Sequence, residues 1–586
     1  MTAGMIKAGY YSLLLGILGL LAAGTAVLWY YDYDSFTLLL AQRSGKMAVL
    51  PLVRSRFFTP SKFEFARIAG VVLLAGYLFA LPMLVKKASR ATNAVINSGQ
   101  QTGLLIKAWA RLVWPGTRGG RFCFVLLMLL LLIKAVYYLQ YPVQYDEAWT
   151  YNYFLSGNIF VALAVYNNHP LYVVLAWFFG FLPFDAAVNM RIPVVIFGVL
   201  SVLAMIGLLR HFYNYHVSLA ASAYFAFSGP VTFYMLYARG YMLLTFFVIA
   251  SVYCMFKMLE TGKAGEQGEI WNKWTYLFAV ACALGFYSMP TFIYPYAAIF
   301  FYTTAVALRR QMRVPWLGAT LVVVVLTLLL YAPMLLGTGV RPGAEVATNA
   351  HSWQWVWQHG QHYLNRCWYF LFGTALHYPV LATLSAALLW AYYNSNYAQR
   401  QLTMFSGLAV GVMVIAYVLQ RVYIPERIWT YQIVFIACLF ALLLNSAVNR
   451  LPAKLRNNAL ILIAGMVVVM NVYLSNRNDF VNWSLPRDNN SRHIAHIFLQ
   501  NNVQRYYLNF DYYKPMLEYY YKTRNKNLQA VMGNPGSVDY APFNPAGKLY
   551  DAIIWDNCAE PLPTAMQATC HTVFTDEEIT VWLCNR

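Results

Sequence analysis

The sequence predicts a polytopic α-helical membrane protein of about thirteen spans, with a small extracytoplasmic α/β domain at its C-terminal end. Three observations predict it. The 586-residue chain is 60% hydrophobic and 11% charged, whereas soluble domains run at about 45 to 50% and about 25%. Its apolar residues fall in runs near the length of about 20 that a bilayer-crossing helix needs. Its Lys and Arg gather in short clusters between those runs, so the net charge of +20 marks loop topology and not a nucleic-acid-binding face. A soluble protein is excluded. Three regions follow: an N-terminal membrane hairpin with a basic cytoplasmic segment over 1–120, a transmembrane core over 121–475 and an extracytoplasmic α/β domain over 476–586.

Taken in order, spans are expected at Tyr10–Tyr30, Arg67–Val85, Arg121–Leu139, Val188–Leu209, Val217–Leu236, Tyr241–Met258, Trp274–Tyr287, Thr291–Leu308, Trp316–Leu336, Val380–Tyr393, Leu402–Leu419, Ile428–Leu444 and Leu460–Tyr473. The first is read as an anchor and not as a cleaved signal peptide, because its apolar run continues through Trp29. Arg210, then Lys257 with Lys263 and Lys273, Arg309 with Arg310 and Arg313, Arg400, and Arg450 with Lys454 and Arg456 occupy alternate connections. Alternate basic loops lie inside. The register holds if His169–Pro183 lies in the interface without crossing. The stretch Lys86–Arg121 has no acidic residue and suits anionic headgroups.

From about Pro486 the chain becomes polar and rich in Tyr and Asn. Helices are expected at Ser491–Gln500 and Tyr513–Arg524, and strands at Val503–Phe510, Leu528–Met532, Ala552–Trp555 and Thr580–Leu583. Cys558, Cys570 and Cys584 crowd this tail, and a pair among them bridges only in an oxidising compartment.

Residues that carry chemistry gather at the predicted outer edges. Tyr145-Asp146-Glu147-Ala148-Trp149-Thr150 follows the third span, and carboxylates at a membrane exit are costly unless solvated or functional. The alternative is a helix cap in which Asp146 takes the free N–H groups. Asn167-Asn168-His169-Pro170-Leu171-Tyr172 opens the interfacial segment, Arg191 begins the next span, and Tyr237-Ala238-Arg239-Gly240-Tyr241 lies at another outer edge. Arg421 and Arg427, in Arg421-Val422-Tyr423-Ile424-Pro425-Glu426-Arg427, stand outside, where positive charge is disfavoured. That points to an anion, and the planar Arg fork suits phosphate oxygens. Glu426 is the competing partner, able to neutralise Arg427 in an ion pair. Lys134 stands within a span, either functional or snorkelling outward. The connection Gly337–Tyr378 holds His351, Trp353, Trp355, Trp357, His359 and His362, read as an interfacial aromatic belt.

In order and spacing these motifs resemble the GT-C glycosyltransferases, particularly the protein O-mannosyltransferase and aminoarabinose transferase branches, over roughly Arg121–Tyr473. Two departures stand out. Leu243, Leu244 and Thr245 occupy the stretch where many relatives carry a second Asp, and His169-Pro170-Leu171 lacks a second proline. The resemblance implies a GT-C-like catalytic core in a bacterial inner membrane, working as an inverting enzyme. It would transfer a sugar from a polyprenyl-phosphate donor to a hydroxyl of a glycan, lipid or protein on the outer face. Under it Asp146 is the base and Glu147 the second catalytic carboxylate, orienting the acceptor or Arg191. His169, Arg191, Arg239, Tyr241, Arg421 and Arg427 are then expected to bind substrate. No metal ligands are assigned, and a divalent metal stays open as a cofactor. Donor, acceptor and membrane lipids are the expected partners, and nucleic acid is not. The competing class is a transporter or flippase for a lipid-linked sugar, which should show two related halves with Gly/Pro-broken spans; no such internal symmetry is visible.

Overall fold

The computed structural model describes residues 3–43, 54, 59–86, 103, 107–157, 159–164, 169–261, 273–309, 313–338, 350–476, 485–510, 512–533, 550–556 and 570–584. Two compact units form. Met1–Arg121, Leu163–Asn167 and Leu328–Val346 make the first; Phe122–Ala162, Asn168–Thr327 and Ala347–Arg586 make the second. In the first, α1 (Ala3–Tyr30) packs on α2 (Pro60–Lys86). Arg67 joins them, donating from Nε and Nη2 to the carbonyls of Leu28 and Tyr31 at 2.8 and 2.7 Å. Those carbonyls belong to the open end of α1, where a cation is favoured.

Every predicted span falls on a helix, but not every helix is long enough to cross. Among the described residues nine helices are, or up to ten if α1 and the bend after it count as one, fewer than the expected thirteen. Val217–Leu236 is split into α7 (Tyr215–Phe227) and α8 (Gly229–Tyr234), while Lys273–Ser288 and Tyr378–Tyr393 have 16 residues each. Sixteen residues rise about 24 Å against a hydrocarbon core of about 30 Å. The segment expected in the interface forms α5 (Pro170–Phe179), 10 residues long and too short to cross.

Helix α3 (Arg118–Leu139) leads through a turn to α4 (Tyr145–Thr150). Helix α6 (Ala186–Arg210) starts at Asp185, whose Oδ1 accepts from the Ala187 amide at 2.8 Å. The break between α7 and α8 follows from Pro230, which has no N–H to give. Lys134 meets that break. Its Nζ donates to the Ala226 carbonyl at 2.9 Å and to Thr232 Oγ1 at 3.0 Å, and the residue is buried. It therefore closes the negative end of α7 and does not snorkel.

After α8 the loop expected at an outer edge, 235–240, runs into α9 (Tyr241–Thr261). The connection Gly337–Tyr378 is no loop throughout: it contains α10 (Trp353–Phe372), started by Ser352, whose Oγ accepts from the Trp355 amide at 3.1 Å. The rings of His351 and His359 stack on Trp355 with centroids 3.8 and 4.6 Å away. Helix α11 (Tyr397–Gln420) follows.

The C-terminal region begins with α12 (Leu485–Gln500) and contains α13 (Tyr513–Lys522) and five strands: β1 (Arg505–Leu508), β2 (Gln529–Met532), β3 (Ala552–Asp556), β4 (Cys570–Thr575) and β5 (Ile579–Cys584). The sheet order is β2-β1-β3-β5-β4, with β1 parallel to β2 and β3, and β5 antiparallel to β3 and β4. Strand β4 was not foreseen, because its register shifts between Thr572 and Phe574 and breaks the alternation. Cys570 and Cys584 face each other across β4 and β5 and form a disulfide; Cys558 lies outside the described residues.

Candidate active site

Helix α4 presents its two carboxylates to different surroundings. Gln144 is the N-cap, and Glu147, not Asp146, answers it from the third helical position, its Oε2 accepting from the Gln144 amide at 3.0 Å. The Glu147 side chain then turns inward and is fully buried. Arg191 meets it with a two-pronged fork, Nε to Oε1 at 3.0 Å and Nη2 to Oε2 at 2.5 Å. The other Arg191 hydrogens go to the carbonyls of Leu139 and Tyr141 from Nη1, at 3.2 and 2.8 Å, and of Pro142 from Nη2, at 2.9 Å. A guanidinium has five N–H donors, and all five are spent. Glu147 Oε1 also accepts from the Ala238 amide at 2.8 Å. The pair thus ties α3, α4, α6 and the outer-edge loop together. Arg191, expected to bind substrate, has no donor left for one.

Asp146 faces the other way. Arg427 Nη1 stands 2.9 Å from Asp146 Oδ2, and Arg239 Nη2 is 3.7 Å from the same oxygen. Arg239 is anchored beside it, Nη1 donating to Thr150 Oγ1 at 2.9 Å and to the Asp146 carbonyl at 3.2 Å. Thr150 lies one turn after Asp146 on the same face of α4. Among the described residues Arg239 Nε is buried without a hydrogen-bond partner. Burial alone would raise the Asp146 carboxyl, but Arg239, then Arg427, and a hydrogen bond from Tyr237 hold it below the ordinary carboxylate value. With Asp146 ionised, the cluster of Asp146, Arg239 and Arg427 carries one net positive charge.

His169 is buried, and burial, then Arg239 and Arg427, push its imidazole well below its usual value, so it is neutral at pH 7. Its ring lies 5.5 Å from that of Tyr241. Gly240 is the reason the two approach: a Cβ there would come within 2.8 Å of both His169 Nδ1 and the Ser288 carbonyl. Asn167 and Asn168 lie outside the described residues.

Arg427 is half exposed, and Glu426 does not neutralise it. Glu426 pairs instead with Arg366 Nε at 2.6 Å and accepts from the Tyr423 hydroxyl. Arg421 is set apart from this cluster. It ends α11 at φ 55°, accepts from the His351 amide at 2.9 Å through its carbonyl, and holds its guanidinium 5.4 Å over the Trp353 ring. Sequence reasoning missed the roles of Thr150 and Arg366. The i+4 spacing to Asp146 is a usable signal for Thr150; nothing local marks Arg366. No group of three or more His, Cys, Asp or Glu side chains suited to a metal ion occurs among the described residues.

No protein-family model and no curated protein matches the chain. Two solved structures of similar fold are ArnT from Cupriavidus metallidurans bound to undecaprenyl phosphate and the same protein in the apo state. The first superposes with a TM-score of 0.54 at 11% identity, over 78% of this chain and 97% of that chain; the second gives 0.52 at 12% over the same shares. The chain therefore shares the overall fold of these two structures.

Proposed function

We propose that the chain is an inverting membrane glycosyltransferase that moves one sugar from a polyprenyl-phosphate donor to an acceptor hydroxyl on the extracytoplasmic face. The observation that carries this is the convergence of Arg239 and Arg427 on Asp146, with a net positive charge and a buried Nε–H left over. Buried donors are normally paired, and an anion with several oxygens satisfies this set. The ArnT structure of the same fold is bound to undecaprenyl phosphate, an isoprenoid phosphate of that chemistry.

A carboxylate held at low pKa is a poor base. The arrangement resolves this if the phosphate and Asp146 compete for the same arginines. When the donor phosphate engages Arg427 and Arg239, Asp146 loses its counter-charges but stays half-buried, and its proton affinity rises. It then takes the proton of the acceptor hydroxyl as that oxygen attacks the anomeric carbon. The anomeric C–O bond breaks, and polyprenyl phosphate leaves on the two guanidinium groups, which stabilise its developing charge. A single displacement inverts the anomeric centre. Neutral His169 and the ring of Tyr241 border the cluster as substrate contacts, while Glu147 and Arg191 hold the frame. The basic alternate loops and the Cys570–Cys584 disulfide support an extracytoplasmic tail.

The test is binding of a short-chain polyprenyl phosphate to purified protein, with the phosphate-free polyprenol as control. Arg239→Lys and Arg427→Lys should each weaken the phosphate ligand roughly ten- to a hundredfold, since a hydrogen bond to a charged group contributes about 1.5 to 3 kcal/mol. Arg421→Lys should not. Unchanged affinity in the first two would remove the phosphate site from this cluster.

A further inference from the structure

The segment that carries Asp146 is gripped on another side by the C-terminal sheet region. Helix α4 does not stop at Thr150 but widens into a π-helical turn over Tyr151–Leu155, closed by the Ser156 amide donating to the Tyr151 carbonyl at 2.8 Å. Such turns are rare and concentrate at functional sites. Four contacts bind this stretch to the start and one face of α13. The Tyr145 ring stacks on Tyr512, centroids 5.3 Å apart and planes 21° from parallel. Tyr151 meets Tyr519 edge to face at 5.0 Å. Between them Asn152, buried within the turn, donates from Nδ2 to the Pro515 carbonyl at 2.7 Å, and Lys522 Nζ reaches the Asn152 carbonyl at 3.4 Å.

These contacts bracket Asp146, one residue before it and five and six residues after. We infer that α13 sets the position of the Asp146 carboxylate, with Asn152 as the positioning residue through which it acts. The inference rests on the reading of Asp146 as the base. Packing alone does not account for Asn152, because its Oδ1 is buried without a partner among the described residues, and an apolar side chain would fill the place without that cost. What the amide adds is direction. A hydrogen bond fixes the phase of the π turn, and hence of α4, relative to α13, which a slippery apolar contact would not. Helix α13 is itself held, with Met516, Leu517 and Tyr521 buried and the Tyr521 hydroxyl donating to the Val503 carbonyl at 2.8 Å. The sheet region is thus part of the catalytic apparatus and not only an appended domain.

Misplacement of a reacting group by about 1 Å costs on the order of 10²-fold in rate. Asp146 is faced by Arg239 and Tyr237 from the outer-edge loop, by Arg427, and by Tyr234 and Tyr241. A loosened α4 draws it away from the arginines, so the acid limb of the kcat/KM profile should move up toward the ordinary carboxylate range.

The full-length protein in nanodiscs is compared with Asn152→Ala, Tyr512→Ala and Tyr512→Phe, the last keeping the stacking ring. Three readouts are taken: hydrogen–deuterium exchange over 145–157, affinity for a short-chain polyprenyl phosphate, and turnover of short-chain polyprenyl-phosphate sugars. Asn152→Ala and Tyr512→Ala should exchange faster in that segment, lose roughly ten- to a hundredfold in kcat, raise the acid limb and keep KM. Tyr512→Phe keeps the stack and loses the hydroxyl's hydrogen bond to the buried Asp488 at 3.1 Å, so it should keep kcat, the acid limb and the parent's exchange over 145–157 even where overall stability falls. Unchanged exchange, or faster exchange with unchanged kcat and acid limb, overturns the inference. A parent that binds the phosphate yet transfers no sugar would sink the proposed function, while the exchange arm still decides whether α13 holds α4.

Discussion

The buried pair of Glu147 and Arg191 should behave as one structural unit, and its disruption should show in stability before it shows in binding. Arg191→Met keeps much of the side-chain volume but removes five hydrogen bonds and the counter-charge of a carboxylate that is 1% exposed. Breaking a buried pair from one side costs about 3 to 5 kcal/mol. The carbonyls of Leu139, Tyr141 and Pro142 add up to about 1 to 3 kcal/mol for each that stays dry. Against a total stability of about 5 to 15 kcal/mol, the single variant should be severely destabilised. Glu147→Met should suffer similarly, because it strands the guanidinium and leaves the Gln144 and Ala238 amides without acceptors. The double variant should lose less than the sum, since it strands no charge. Detergent-solubilised thermal unfolding of the four proteins, followed by retention of the monodisperse peak, measures this. Strictly additive losses, or an Arg191→Met protein as stable as the parent but unable to bind polyprenyl phosphate, would refute the assignment and return Arg191 to the substrate.

Gly240→Ala should destabilise by about 1 to 3 kcal/mol, because one of the two atoms that its Cβ would strike at 2.8 Å is the backbone carbonyl of Ser288; a melting temperature within error of the parent would contradict the close approach. The pH dependence follows from the lowered Asp146 pKa: the base is lost as pH falls through that pKa. The acid limb of kcat/KM, which reports the free enzyme, should therefore lie below the ordinary carboxylate range, and that of kcat, after the arginines have moved to phosphate, should lie higher. Coincident limbs would argue against competition for the arginines. For topology, Asn501→Cys in the exposed turn after α12 should react with a membrane-impermeant maleimide in intact cells above the parent's background; reaction only after opening the membrane would reverse the orientation.

The apolar runs foretold where the helices lie, because burial in lipid leaves a mark on every residue of a span. They did not foretell that α7 breaks at Ser228-Gly229-Pro230, since hydropathy continues across the break and only Lys134 reveals that something polar must be met there. Asp146, Arg239 and Arg427 were each singled out from local oddity, charge at an outer edge. Their convergence across 281 residues is a property of packing that no window contains. Partner choice was the least legible. Asp146 was weighed as the cap, but Gln144 takes that place with Glu147 accepting from its amide; Glu426 was weighed as the partner of Arg427 and binds Arg366. Adjacent residues differ by about 100° around a helix, so neighbours in sequence need not share surroundings. The contact of Asn152 with Pro515 links positions 363 apart, and a lone Asn gave no hint of it.

In the proposed transfer Asp146 is the base, and Arg239 and Arg427 hold the leaving phosphate. The most direct measurement is turnover of short-chain polyprenyl-phosphate sugars by purified protein and by Asp146→Asn, with covalent product identified by mass and anomeric configuration. Expected are an inverted glycoside from the parent, a loss of about 10² to 10⁴ in kcat for Asp146→Asn, and an affinity for polyprenyl phosphate in that variant at least as high as the parent's. Near-normal turnover by Asp146→Asn, or a parent that moves the lipid-linked sugar across a bilayer without forming any glycoside, would contradict it.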